Sequence, residues 1–190
     1  MGNIYDRYPD RVIVEGKSYR LDTGYDNFLR AFDSDEMREL LPDDRLELQC
    51  RLLLHRREKL PNNIETRQKI VNAVFKMLPQ KQRIDNEKYM DFHQDAPLIR
   101  SAFRRIGIDL TRQRIHFLEF FELLADLPSD TALMRTIDIR RRKIPHQTKY
   151  NAEEIRALQE AKARVALQMT DDDRREAFAV SLKQSTILRG

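Results

Sequence analysis

The chain has 190 residues, 41% hydrophobic and 35% charged, with 5 Gly, no Trp, a net charge of +4 and a pI of about 9.2. That length can bury roughly 70% of the unfolded surface in one domain, and few glycines among many Leu, Arg, Glu and Ala favour helix over strand. The lone Cys50 excludes an intrachain disulfide or thiolate cluster, no apolar run approaches the ~20 residues of a membrane span, and the small, interleaved charge excess permits nucleic-acid contact without arguing for it.

In chain order, Tyr5 to Asp10 is an irregular lead-in. RVIVE and SYRLD flank Gly16-Lys17 and predict a two-stranded hairpin within about residues 8–22, with Val12 and Val14 on one face and Ile13 on the other. A lone hairpin is marginal in water and must pack on helices. Thr23 is the expected N-cap of a helix carrying Tyr25, Phe28, Leu29 and Phe32.

Ser34 offers a cap for a short segment that ends before Pro42. Asp43 and Asp44 open a longer helix through Leu46 and Leu53, with acids first and bases last, as the helix dipole favours. Cys50 lies in its apolar run and reads as a small buried hydrophobe. Asn63 caps a helix with Ile70, Val71, Val74, Phe75 and Leu78 on one stripe. Pro79 to Ala96 is the least periodic piece and reads as a loop with a short turn.

Next, Leu98, Ile99, Ala102, Phe103 and Ile106 form one stripe opposite Arg100, Arg104 and Arg105, and Gly107 supplies a left-handed stop. In IHFLEFFELLADL, apolar residues from Phe117 to Leu127 cover most of the helix circumference. Glu119, Glu122 and Asp126 are left as a solvated acidic edge. A helix apolar on so many sides belongs in the middle of a bundle. A further helix ends in Arg140, Arg141, Arg142 and Lys143, before Pro145.

Asn151 and Glu154 make a capping-box-like start to an alanine-rich helix, and Thr170 restarts the chain for a last one. The expected organisation is a helical domain over 1–150 and a C-terminal helical arm over 151–190. The arm's charges balance at seven basic and seven acidic residues, and its apolar faces are thin. Ile155, Leu158, Val165 and Met169 form a stripe interrupted by Lys162, with Phe178 and Leu182 on another. The fold class is mainly α: a helical bundle with a small N-terminal β-hairpin.

These blocks resemble the phage gene-product-fifteen family. YPDRVIVEGKSYRLDTGYDNFLRAF, from Tyr8 to Phe32, is similar to that family's opening, in which Pro-Asp leads a strand, a Gly-Lys turn, a Tyr-bearing strand and a helix. DAPLIRSAFRRIGIDL, IHFLEFFELLADLP and LMRTIDIRRRKIP, between Asp95 and Pro145, resemble its later blocks in the same order. The middle matches poorly and the tail after Lys149 only loosely. Phe117 and its neighbours stand where relatives often carry tryptophan, which preserves aromatic burial.

The resemblance implies a small tail protein of long-tailed phages or prophages, encoded between the major tail protein and the tape-measure protein. It implies a tail-assembly chaperone that coats the tape-measure protein and helps tail-tube subunits polymerise around it. No catalytic motif, cofactor or metal site comes with it.

The residues themselves agree with a binding role. Between Arg135 and Lys149 there are six Lys/Arg and one acid, Asp138. That run fits either docking on an acidic partner or a helix C-terminus decorated with cations, with Asp138 and Arg142 paired at i, i+4. Nucleic-acid binding wants stacking aromatics beside the charges, and only Tyr150 is near. His93 with Asp91 and Asp95 is a poor metal loop, lacking Gly and ligand alternation. Nucleophile elbows and phosphate-cradling glycine loops are missing.

The expectation is therefore a non-enzymatic assembly protein without cofactor or metal, acting in the bacterial cytoplasm. Its expected partners are the tape-measure protein, the major tail (tube) protein and further copies of itself, with no membrane. Candidate contact residues are Arg140, Arg141, Arg142, Lys143, Ile155, Leu158, Val165, Phe178 and Leu182. The alternatives are a small basic nucleic-acid-binding helical protein and a structural tail component.

Overall fold

The computed structural model describes residues 7–34, 37, 39–78 and 88–168. Among them are two strands, β1 (Arg11–Val14) and β2 (Lys17–Arg20), and seven helices. The helices are α1 (Tyr25–Asp33), α2 (Pro42–Leu53), α3 (Ile64–Phe75), α4 (Ala96–Arg105), α5 (Phe117–Ala125), α6 (Ala132–Arg141) and α7 (Ala152–Val165). The fold is mainly α with a small N-terminal hairpin, as the sequence predicts. No helix among the described residues is long and apolar enough to cross a membrane. The chain forms two compact units, Met1–Asp85 with Phe103–Leu127, and Asn86–Ala102 with Pro128–Gly190. Neither breaks at residue 150: α7 shares a unit with α6.

In the first unit the hairpin pairs Val14 with Lys17, so its two turn residues are Glu15 and Gly16. The turn lies one residue earlier than the expected Gly16-Lys17. Both residues have positive φ, 53° and 76°, as a hairpin turn matched to strand twist requires. Glu15 tolerates this because its carboxylate is anchored, accepting from Thr66 Oγ1 at 3.0 Å and Lys69 Nζ at 2.5 Å on α3. Alternation then sorts the strand: Val12 and Val14 are buried and Ile13 is 74% exposed.

Beyond β2 the chain stays extended, clamped from two directions. Asp22 N–H donates to Leu53 O and His55 N–H to Arg20 O, tying it to the end of α2. Tyr25 N–H donates to Ile115 O and Phe117 N–H to Thr23 O, tying it to the start of α5. These bonds displace the expected Thr23 cap: with its carbonyl held by Phe117, helix α1 begins only after Gly24, without a side-chain cap. Ser34 likewise closes α1 instead of opening a new helix. It is buried, and its hydroxyl donates to Ala31 O at 2.8 Å. The expected segment after it includes residues 35, 36 and 38, outside those described.

The core of this unit is aromatic. Phe28 stacks on Phe117 at 4.6 Å between centroids and meets Phe75 and Phe121 edge-on. Phe120, 1% exposed, lies stacked against Tyr25 at 4.9 Å and Phe103 at 5.1 Å. Tyr25 satisfies its hydroxyl on Leu110 O at 2.6 Å. Phe117, Leu118, Phe120 and Leu127 are buried, whereas Phe121, Leu123 and Leu124 are half-buried, so α5 is covered on most sides but not all. Glu122 and Asp126 are exposed, as expected of a solvated edge.

Cys50 is fully buried beside Arg67 O, and burial pushes its thiol up to about 11, which makes it an inert packing group. Asn63 caps α3 as predicted, accepting from Glu65 N–H at 2.9 Å. Helix α4 ends at Gly107, φ 86°, with Ile108 N–H on Phe103 O and Gly107 N–H on Arg104 O, the paired bonds of a Schellman closure.

His116 joins the N-terminal lead-in to α5. Its Nδ1 accepts from Leu118 N–H at 3.1 Å, which caps the helix, and its Nε2 donates to Pro9 O at 3.2 Å. The ring is stacked between Tyr8 and Phe117. Tyr8 in turn donates to Glu122, and that bond lifts its phenol to about 12. Burial is the chief reason the His116 pKa lies below its ordinary value, with the Pro9 carbonyl, Glu119, Asp10 and Glu122 opposing it. A second proton would have to displace the Leu118 N–H from Nδ1.

The unfolded chain therefore takes up the His116 proton first. Stability is complete above pH ~6.5 and declines as pH falls below it. His116→Asn keeps a capping acceptor without titrating. Urea denaturation between pH 7.5 and 5 should show a decline in the wild type that is flattened in this variant; equal slopes in the two proteins would exclude His116 as the source.

Candidate partner-binding site

Every candidate contact residue that falls among the described residues lies in the second unit. There, α6 is capped by Thr131, whose hydroxyl accepts from Met134 N–H at 3.2 Å, and it buries Leu133. Leu133, Ile137 and Arg140 fall at i, i+4 and i+7, so the first residue of the basic run shares the packed face of α6.

Arg140 is accordingly an internal group. Its side chain is 11% exposed and grips Asp95, 3% exposed, with two bonds of 2.6 and 2.9 Å. Its guanidinium also donates to Tyr89 O at 2.9 Å and Val165 O at 2.6 Å. One planar fork thus joins the segment before α4, helix α6 and the end of α7, a geometry that Arg supports and Lys would not. Asp95 is further satisfied by Asp91 N–H at 3.0 Å.

The rest of the run faces solvent. Arg142 pairs with Asp138 at 2.8 Å, the i, i+4 pair expected of a helix C-terminus. Arg141, Lys143 and Lys149 are exposed, Ile144 is 46% exposed and Tyr150 is 94% exposed. Four candidates therefore part company. Arg140 is spent inside the fold and Arg142 is paired at the surface, while Arg141 and Lys143 present unburied charge in an acid-free stretch.

Helix α7 packs on α6. Ile155, Leu158 and Val165 are half-buried, in one stripe with Ala161 and Lys162. Lys162 does not spoil that stripe, because its Nζ reaches Arg140 O at 2.5 Å. Asn151 does not form the expected capping box. Its amide instead closes the preceding turn, accepting from Thr148 N–H at 2.7 Å and donating to His146 O at 2.9 Å. Phe178 and Leu182, with the last predicted helix, lie outside the described residues.

The loop carboxylates near His93 are occupied by the protein itself. Burial pushes Asp91 up, but hydrogen bonds from Lys88, Gln94 N–H and His93 N–H outweigh it and leave it at about 2. Asp95 is taken by Arg140. Among the described residues no group of three or more His, Cys, Asp or Glu has the geometry to hold a metal ion.

In the first unit, a groove of about 280 Å³ lies between α2 and α3, lined by Pro42, Arg45, Leu46, Gln49, Gln68, Val71, Asn72 and Phe75. Its mixed walls suit an amphipathic segment. Sequence reading missed it, since its polar residues stand on otherwise ordinary helix faces. The Asp95–Arg140 pair was missed because the partners are 45 residues apart. Only the i+7 position of Arg140 behind Leu133 hinted at it.

Among known proteins, the family described as Bacteriophage Gp15 protein matches residues 4–167. No curated protein and no solved structure matches the chain.

The geometry separates neighbours in the basic run. Arg140→Ala should destabilise the protein by about 3–5 kcal/mol, because it strands the buried Asp95 carboxylate. Arg141→Ala should stay within about 0.5 kcal/mol of wild type. Denaturant titration of the two variants checks this, and equal effects would contradict the assignment.

Proposed function

The chain belongs to the bacteriophage Gp15 protein family, and from that premise we propose that it is a tail-assembly chaperone acting in the host cytoplasm by non-covalent binding. Family membership over residues 4–167 is the observation that carries this reading. The family resemblance implies a partner next door in the genome, the tape-measure protein, and a hand-over to the major tail protein.

A chaperone of this kind must grip a long, helix-rich partner reversibly and many times over. The groove between α2 and α3 offers apolar contact from Leu46, Val71 and Phe75, with amide and guanidinium groups at its walls. That mixture suits the apolar stripe and polar shoulders of an amphipathic helix. In the second unit, the exposed Arg141, Lys143 and Lys149 add positive charge that suits acidic residues of a partner. Such rim charges speed encounter more than they add affinity, which suits a partner that must later be released.

A protein partner accounts for this surface better than a nucleic acid does. Tyr150 is the one aromatic close to the exposed cations in sequence, whereas single-strand binding relies on successive stacking platforms.

Co-expression with a tape-measure fragment tests the proposal. The fragment should remain soluble and co-purify with the full chain. Val71→Asp, in the groove wall, should reduce recovery at least ~10-fold, as expected when an apolar contact is replaced by an unpaired charge. Because Val71 is also buried, Gln68→Trp, which fills the groove from its rim, serves as the folded control with the same expected loss. A fragment equally soluble with and without the chain would refute the chaperone reading. Unchanged capture by Gln68→Trp would move the grip away from the groove.

A further inference from the structure

Among the described residues, helix α7 is held to its unit by a half-buried stripe and a small set of polar bonds. None of its residues is buried, and its stripe of Ile155, Leu158, Ala161 and Val165 is half-buried. Arg140 Nε donates to Val165 O at 2.6 Å and Lys162 Nζ to Arg140 O at 2.5 Å. Just beyond the helix, Gln168 and Gln94 exchange a reciprocal pair, Gln94 Nε2 to Gln168 O at 3.0 Å and Gln168 N–H to Gln94 Oε1 at 2.7 Å. Each such bond contributes modestly once the water it replaces is counted. The attachment is specific, but it is not a core.

The connection to α7 is equally detachable. Every residue from Arg141 to Tyr150 is exposed. Among the described residues, apart from Arg142 on Asp138, the side-chain bonds of this stretch are local, joining Thr148, Tyr150, Asn151 and His146. The stretch is also long. The end of α7 meets Arg140, near the end of α6, so the linker must carry the chain back over most of a helix length. For 14 residues at about 1.5 Å per residue that length is about 21 Å.

We propose that α7 exchanges between copies of this chain: the α6 face, with Arg140 and Gln94, is a docking surface for α7 of a second copy. The site is already complementary to this helix, down to the lysine on its apolar stripe. Among the described residues, exchange makes no new kind of contact and re-forms every bond named above, which is the condition for domain swapping. Only chain entropy opposes it. A tethered helix sees its own site at an effective concentration on the order of mM. The closed form therefore prevails in dilute solution, and exchange prevails where copies are crowded to that level. Reciprocal exchange closes a pair, and one-way exchange propagates an open row. Alignment on a long partner would supply the crowding; that last step rests on the chaperone reading, and the exchange itself does not.

Deleting Lys143–Tyr150 tests this without any partner protein. The deletion leaves Arg142 and Asn151, three Cα steps of about 3.8 Å, or roughly 11 Å, too short for α7 to close on its own α6. Light scattering should give at least twice the monomer mass. Adding Lys162→Ala and Gln94→Ala, which remove side chains that bond across this docking surface, should then weaken the assembly tenfold or more. A folded monomer, or an assembly indifferent to those two changes, would overturn the proposal. Should the deletion fail to fold, the full chain decides: tagged and untagged copies are mixed at ~mM, diluted and examined by native mass spectrometry. Mixed pairs sensitive to Lys162→Ala are expected, and monomers alone would sink the idea.

Discussion

The first unit depends on the need to cover α5. A helix whose apolar residues occupy most of its circumference cannot rest on one neighbour. It draws Phe28 of α1 onto Phe117, and Tyr25 and Phe103 onto Phe120, while Phe75 of α3 meets Phe28 edge-on from behind. The backbone follows the same demand. The extended run after β2 hydrogen-bonds to the end of α2 and the start of α5, which fixes where α1 can begin. His116 and Tyr8 then seal the lead-in over the helix start.

The second unit is assembled by different physics. Its described core is small, with Ile99, Ala102 and Leu133 buried, and its segments meet at a guanidinium. Arg140 reaches Asp95, Tyr89 O and Val165 O, while its own carbonyl receives Lys162. Buried charge pairs stabilise little relative to apolar packing, but they punish misplacement severely. A unit built this way fixes register without making α7 permanent. That contrast underlies the proposed roles: an aromatic scaffold with a groove for a partner, and a helix, α7, that can be traded between copies.

Local signals account for most of what was legible in the sequence. The alternation of Val12, Ile13 and Val14, the Asn63 cap, the stripe of α4 with its Gly107 stop, and the apolar girth of α5 each reside within a dozen residues. The misreadings arose where tertiary bonds overrode a local preference. Thr23 lost its cap role to Phe117 N–H, Asn151 to the turn before it, and the hairpin turn moved by one residue because α3 anchors Glu15. Four adjacent basic residues look alike in sequence. Helix geometry sends Arg140 inward and leaves Arg141 outside, while Lys143 lies beyond the end of α6.

If the aromatic unit is firmly held and α7 is not, native-state hydrogen exchange resolves the two directly. Amides of α5 should exchange only through global unfolding. Those of α7 should open locally and exchange at least ~100-fold faster, a gap of about 2.7 kcal/mol. Protection of α7 equal to that of α5 would contradict the account, because a helix so protected would belong to a core and could not be traded.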